Sequence, residues 1–82
     1  MASDRPSEAA LIAEAREGSA AAVSALYERH NAAALWAARA YLRDQHTAED
    51  VAANAFVDTM AALRSGRGPR EALRPYLLMA VR

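Results

Sequence analysis

Alanine is the most abundant residue of this 82-residue chain, with 23 copies, and this bias restricts the folds open to it. Alanine is the strongest helix former, and the residues that interrupt helices are scarce, with three glycines and three prolines. Apart from Met1, only 20 large hydrophobic residues remain, enough for one thin core. We therefore predict an all-α fold, a compact bundle of about four helices, with residues 1–82 forming one domain.

Several classes of protein are disfavoured by features that the sequence lacks. It contains no cysteine, and its two histidines, His30 and His46, are too few and too far apart for a zinc site. No apolar run reaches membrane-spanning length, and the start "MASDRPSEAA" lacks the pattern of a signal peptide. No catalytic motif is visible. We expect a soluble, cytoplasmic, non-enzymatic protein without metal, cofactor or small-molecule substrate.

Start and stop signals divide the chain into four predicted helices. Their approximate ranges are residues 7–17, 19–42, 48–63 and 73–82. Ser7, Ser19 and Thr47 are predicted to cap the first three, because a hydroxyl oxygen accepts a hydrogen bond from a free N–H group of the first turn. Asp50, three residues after Thr47, resembles the acidic half of a capping box, and Pro75 fits the first turn of the fourth helix.

Helical periodicity predicts which residues face the core. Outside the third helix these are Leu11, Ile12, Ala15, Val23, Leu26, Tyr27, Ala34, Ala38, Tyr41, Leu73, Leu77 and either Ala80 or Val81. His30 is predicted at the core edge of the second helix and His46 in the loop that follows it. Trp36 is predicted either to pack against the first helix or to lie exposed at a partner surface.

The third helix, "AEDVAANAFVDTMAAL", is apolar on more than one side. One broad face collects the predicted core residues Val51, Ala52, Ala55, Phe56, Thr59, Ala62 and Leu63. A second stripe runs beside the polar row Asp50, Asn54 and Asp58; it consists of Ala53, Val57 and Ala61, with Met60 at its border. So small a bundle cannot cover this stripe, which predicts a docking surface for another helix. The helix propensity of alanine is the alternative explanation.

The net charge is zero but unevenly distributed. Residues 1–63 carry five Arg against nine Asp and Glu, whereas residues 64–82 carry five Arg against one Glu. The linker "RSGRGPRE", residues 64–71, is predicted to be flexible because it contains two glycines and a proline. The basic set, with one aromatic residue among it, is Arg64, Arg67, Arg70, Arg74, Tyr76 and Arg82. The charge asymmetry suggests a segment that meets an anion, and guanidinium and tyrosine groups suit a nucleic acid. Taken alone, an arginine-rich loop is more often a solvated loop, and a core role for Tyr76 is also open.

Four collinear stretches resemble conserved region two of bacterial sigma factors of the extracytoplasmic-function group. "LIAEAREGSAAAVSALYERH" is similar to the start of that region, "RAYLRDQHTAEDV" to its middle, "AEDVAANAF" to its signature and "GPREALRPYLLMAVR" to its promoter-reading end. The resemblance extends from about Ser7 to Arg82. It implies a sigma factor domain that binds the RNA polymerase core and recognises and melts the minus-ten promoter element.

The resemblance also implies roles for individual residues. The third helix would dock on the clamp helices of the polymerase beta-prime subunit through Asp50, Ala53, Asn54, Val57, Asp58, Met60 and Ala61. The loop and fourth helix would bind non-template single-stranded promoter DNA, and hold a flipped base, through Arg64, Arg67, Arg70, Arg74, Tyr76 and Arg82. An anti-sigma protein is an expected partner. The second domain that reads the minus-thirty-five element is expected to be absent from this chain.

The chain departs from the family pattern in the third helix. Ala53 and Asn54 replace the usual Gln-Glu or Gln-Asp pair, Met60 replaces an aromatic residue, and Asp58 occupies a position that is often basic. The polar part of the polymerase contact is therefore altered. The alternative function is a sigma-like interaction module that binds an anti-sigma protein or another regulator without recognising promoters, which does not require the arginine set.

Overall fold

The computed structural model describes residues 6–82, which form four helices and no strand. The helices are α1 (Glu8–Arg16), α2 (Ala20–Arg39), α3 (Gln45–Arg64) and α4 (Arg74–Val81). Helices α2 and α3 pack against each other, and α1 and α4 each pack against both. The predicted all-α bundle is thus confirmed. Residues 1–5, half of the segment used for the signal-peptide expectation, lie outside the described residues.

No helix within residues 6–82 is both long enough and apolar enough to cross a membrane.

Local hydrogen bonds explain where the first two helices begin. The hydroxyl oxygens of Ser7 and Ser19 accept from the N–H groups of Ala10 and Ala22, each at 3.1 Å. Gly18, between the two helices, has a φ of 93°, which a residue with a side chain rarely adopts. Both predicted caps are therefore confirmed, although α2 ends at Arg39 rather than at residue 42.

The start of α3 differs from the prediction. Asp44 is the N-cap, and its Oδ2 accepts from the Thr47 N–H at 2.9 Å and from the Thr47 hydroxyl at 2.7 Å. These hydrogen bonds, the hydroxyl one foremost, lower the pKa of Asp44. The prediction of Thr47 as cap was wrong because α3 begins at Gln45, so the N–H group of Thr47 is itself a free donor of the first turn and is bound by Asp44. Asp50 therefore lies beyond the first turn, and His46 lies within it rather than in a loop.

Large buried side chains from all four helices meet in one core. Those with almost no exposed surface are Ile12, Leu26, Leu63, Leu73, Leu77 and Thr59. Alanines fill the gaps between them and let the helices approach closely; the buried ones in the core are Ala15, Ala22, Ala34, Ala38, Ala48, Ala52 and Ala55. The Thr59 hydroxyl donates to the carbonyl of Ala55 at 2.8 Å, so this buried polar group is satisfied within α3.

Two core predictions on α2 were wrong. Tyr27 and Tyr41 are 42% and 59% exposed, because the buried stripe of this helix follows a four-residue spacing through Leu26, His30 and Ala34. Tyr27 lies at the border of that stripe, where its ring contacts Phe56 edge-on with centroids 5.2 Å apart. Trp36 is 77% exposed, which excludes packing against α1.

Candidate functional site

The outer face of α3 carries the predicted apolar stripe. Ala53, Val57 and Ala61 are all exposed, and Val57, the largest of them, is 62% exposed. The polar row beside them is also exposed; it consists of Asp50, Asn54 and Asp58. We call these six residues the α3 outer face. No other element of residues 6–82 covers them, so the face is available to a partner.

Met60 does not belong to this face. Its side chain is only 8% exposed and lies in the core cluster. Met60 lies on the helix between the exposed stripe and the core residue Phe56, and an unbranched flexible side chain at such a border can turn inward. The prediction that Met60 lies on the docking surface was therefore wrong, because its side chain is buried in the core.

The α3 outer face continues into a groove between α3 and α2 that the sequence did not reveal. Asp50 and Ala53 line this groove together with Tyr27, Asn31 and Leu35 of α2. Leu35 is partly buried, while Tyr27 and Asn31 are exposed. Their involvement depends on how two helices pack, and the only sequence signal is the position of Tyr27 and Leu35 at the edge of the buried stripe of α2.

The segment between α3 and α4 doubles back onto the end of α3. Gly66 and Gly68 have φ angles of 85° and 82°. The N–H group of Arg67 donates to the carbonyl of Ala62 at 2.8 Å. A Cβ atom at Gly68 would lie 3.2 Å from Cδ2 of Leu63, so a larger residue there would press on a buried side chain.

Arg16 of α1 holds this segment in place. Its Nη1 donates to the carbonyl of Leu63 at 3.1 Å, and its Nη2 donates to the carbonyls of Gly68 and Pro69 at 3.2 and 2.7 Å. The linker predicted to be flexible is therefore bound at two of its carbonyls, and the same guanidinium group also binds the end of α3. Sequence reasoning missed Arg16 because its partners lie 47 to 53 residues further along the chain.

The predicted DNA-binding arginines fall into two groups. Arg64, Arg70 and Arg82 are exposed and have no side-chain hydrogen bond within residues 6–82, and Arg67 is exposed with only a bond from Nε to the Ser65 hydroxyl at 3.1 Å. Arg74 is different, since its Nε donates to Nδ1 of His30 at 3.3 Å and its Nη2 to the carbonyl of Arg29 at 3.2 Å. Four arginines can thus reach a ligand without breaking a tertiary contact, whereas Arg74 is engaged with α2.

A partly buried ionic cluster joins α1, α2 and the start of α4. Glu8 Oε2 accepts from Nε2 of His30 at 2.6 Å and from the Leu73 N–H at 3.1 Å, and Oε1 accepts from Nη1 of Arg29 at 3.2 Å. On the other side of the ring, Nε of Arg74 lies 3.3 Å from Nδ1 of His30, so His30 links Glu8 to Arg74. His30 is 7% exposed, which confirms its predicted place at the core edge.

Burial raises the pKa of Glu8, but the hydrogen bond from Leu73 and the neighbouring His30 and Arg29 outweigh it, so the pKa lies below its ordinary value of 4.5. Since this carboxyl is easier to ionise in the folded than in the unfolded chain, its ionised form stabilises the fold at neutral pH. That contribution is lost as pH falls below the ordinary value and through the lowered pKa.

We therefore expect Glu8→Gln to lower the free energy of unfolding at pH 7 by about 1–3 kcal/mol, the typical cost of removing a charged hydrogen-bond acceptor. The difference from the unmodified chain should shrink as pH falls from about 5 towards 3. Urea denaturation followed by circular dichroism across this range tests it, with Glu14→Gln, an exposed glutamate of the same helix, as control. If acidification lowers the stability of the unmodified chain and of Glu8→Gln equally, the ionised carboxylate of Glu8 does not stabilise the fold.

Comparison with known families identifies the chain. The profile of the sigma-70 region 2 family matches residues 26–82, more than half of the sequence. The protein therefore belongs to the sigma-70 region 2 family. No curated protein and no solved structure gives a significant match.

Membership in this family defines a non-enzymatic domain of transcription initiation, which takes part in binding the RNA polymerase core and in melting promoter DNA. The matched residues include most of α2, the whole of α3 and α4, and the segment between the last two. Helix α1, which supplies Glu8 and Arg16, precedes them.

Proposed function

We propose that the chain is the region-two domain of a sigma factor of the extracytoplasmic-function group, which brings core polymerase to promoters and melts the minus-ten element. The observation that carries this proposal is the α3 outer face, an apolar stripe that the domain leaves uncovered. Arg64, Arg67 and Arg70, exposed at the end of α3 and in the segment that follows, supply basic groups for DNA, while Arg82 lies apart from them beside Tyr41 and Val51.

The α3 outer face would receive the clamp helices of the polymerase beta-prime subunit. Val57 lies at the centre of its apolar row, with Asp50 and Asp58 in the polar row beside it. Alanine side chains on both sides of Val57 would let a partner helix approach closely. Since Ala53 and Asn54 replace a longer polar pair, and since Met60 is buried, this contact would rely on close apolar packing and on the adjoining groove.

The segment 65–71 and the start of α4 would hold one unpaired promoter base. Gly66, where an added Cβ would face open space, keeps the backbone free of a side chain that would hinder a close approach, whereas the missing Cβ of Gly68 lets the segment pack on Leu63. Tyr76 is 36% exposed and lines a surface depression with Met79 and Ala80, where a base can stack. Arg64, Arg67 and Arg70 would contact the phosphates on either side.

Arg67→Ala is expected to weaken binding to all promoter sequences alike, because a phosphate contact carries no base information. The slope of log affinity against log salt should become shallower by about 0.7, the value for one phosphate contact to a single strand. The measurement uses holoenzyme reconstituted with this chain, on a pre-melted promoter at several salt concentrations. Arg43→Ala, which removes an exposed arginine of the α2–α3 turn, is the matched control.

Replacing the segment 65–71 should instead change which base is preferred. The segment would not determine base preference, and Arg67 would not act only on phosphate, if the swap left the preferred base unchanged while Arg67→Ala altered it. Promoter binding no stronger than that of core polymerase alone would favour the alternative, an interaction module that binds a regulator without recognising promoters.

The α3 outer face also suits an anti-sigma protein, because exposed apolar residues on a small domain are natural partner sites. We propose that such a protein covers this face, the basic end of the domain, or both. Covering the outer face would exclude polymerase directly.

A further inference from the structure

We infer that α1 holds the segment between α3 and α4 at both ends, and that Arg16 and Glu8 are positioning residues for base recognition. Arg16 binds the carbonyl of Leu63 at the end of α3 and those of Gly68 and Pro69 in the segment. Glu8 binds the N–H group of Leu73, where α4 begins. This inference rests on the proposed function, since it concerns how the proposed DNA-binding segment is kept ready for its ligand.

Arg16 selects one conformation of a segment that would otherwise have many. Two glycines with positive φ give the backbone between Leu63 and Pro69 unusual freedom, which must be lost when a base is bound. A guanidinium group has five N–H donors in a rigid plane, and Arg16 makes three hydrogen bonds with carbonyls from both limbs of the turn. Ordering the backbone before DNA arrives reduces the entropic cost of binding.

Glu8 fixes the start of α4 in a similar way. Leu73, the N-cap of α4, makes no capping hydrogen bond with its own side chain, and Pro75 in the first turn has no N–H group to donate. The ionised carboxylate of Glu8 thus lies at the positive end of the helix dipole and accepts from the Leu73 N–H. The same carboxylate binds His30, and His30 binds Arg74, so α1 also fixes the first residue of α4.

Two measurements test this inference. Amide hydrogen exchange of residues 65–73 in the free chain reports on the segment without DNA, and the affinity of holoenzyme for pre-melted promoters with and without the preferred base reports on recognition. Arg16→Met should speed exchange of the Arg67 amide by about tenfold and reduce base discrimination by a similar factor. Binding to core polymerase should not change, because the α3 outer face is untouched.

Three further variants make the test specific. Arg16→Lys keeps the charge but cannot bridge three carbonyls, so it should behave like Arg16→Met, and it retains solubility if the latter folds poorly. Glu8→Gln should speed exchange at Leu73 more than at Arg67. Arg39→Met, which removes an exposed arginine bonded to Gln45, should change neither readout.

Unchanged exchange in Arg16→Met would overturn the inference whatever the chain binds. Faster exchange with full base discrimination would show that α1 orders the segment but does not serve recognition, and would also overturn it. Absence of promoter binding by the unmodified holoenzyme would refute the proposed function, and with it the recognition role of Arg16 and Glu8.

Discussion

Val57→Glu is expected to abolish binding of the chain to core RNA polymerase while leaving its helices and melting temperature nearly unchanged. Val57 is 62% exposed, so a carboxylate there stays hydrated in the free domain. In a docked complex the same carboxylate would be buried among apolar groups without a partner, which is strongly unfavourable. At the centre of an interface such a change costs at least about 2 kcal/mol, or roughly 30-fold in affinity.

Binding of the purified chain to core polymerase, measured beside thermal denaturation, checks this result. Ala21→Glu introduces the same charge at an exposed position of α2, away from the α3 outer face, and is the matched control. Loss of folding in Val57→Glu would mean that this side chain belongs to the core, and unaltered binding would place the polymerase contact elsewhere. If an anti-sigma protein covers the same face, it should lose binding to Val57→Glu as well.

Leu77→Ala is expected to destabilise the domain more than any change on its surface. Leu77 has no exposed area and anchors α4, a helix of only eight residues. Truncating a buried leucine costs about 2–5 kcal/mol, depending on how far the surroundings collapse into the cavity. A chain of this length has a total stability of roughly 4–12 kcal/mol, so a substantial fraction of the molecules could unfold.

Urea denaturation of Leu77→Ala tests this expectation, with Met79→Ala as control. Met79 lies on the same helix but is 74% exposed, so its truncation should change the stability by less than about 0.5 kcal/mol. Equal effects of the two substitutions would show that α4 is not anchored through Leu77. Because α4 carries Tyr76, Leu77→Ala should also weaken promoter binding at temperatures where the domain remains folded.

Local sequence signals accounted for most of the secondary structure. The hydroxyls of Ser7 and Ser19 bind N–H groups three residues away, and Pro75 lies in a first turn, so neighbouring residues alone decide these helix starts. The start of α3 was misplaced because Asp44 and Thr47 are both good caps, and only the structure shows that the helix begins directly after Asp44. Periodicity likewise identified the α3 stripe, since facing directions on one helix follow from residue number.

For side chains at the border of a helix face, packing between helices decided whether they are buried or exposed. Met60 and Tyr27 occupy comparable border positions, yet Met60 is 8% exposed and Tyr27 42%. A flexible methionine can turn into a gap between helices, whereas the tyrosine ring makes a T-shaped contact with Phe56 and remains partly in water. The size of the available gap is a property of two helices together and cannot be read from either alone.

The sequence by itself determined an all-helical chain, three of its four helix starts, the exposed apolar row of α3 and the excess of arginine after residue 63. Only the tertiary structure brought Arg16 to the carbonyls of Gly68 and Pro69, and Glu8 to the N–H group of Leu73, across 52, 53 and 65 residues. Such contacts depend on how α1 packs beside α2 and α3, because chain-distant groups meet only when the whole bundle has formed. The helix pattern is therefore encoded locally, whereas the shape of the proposed DNA-binding segment is imposed by a helix far away in sequence.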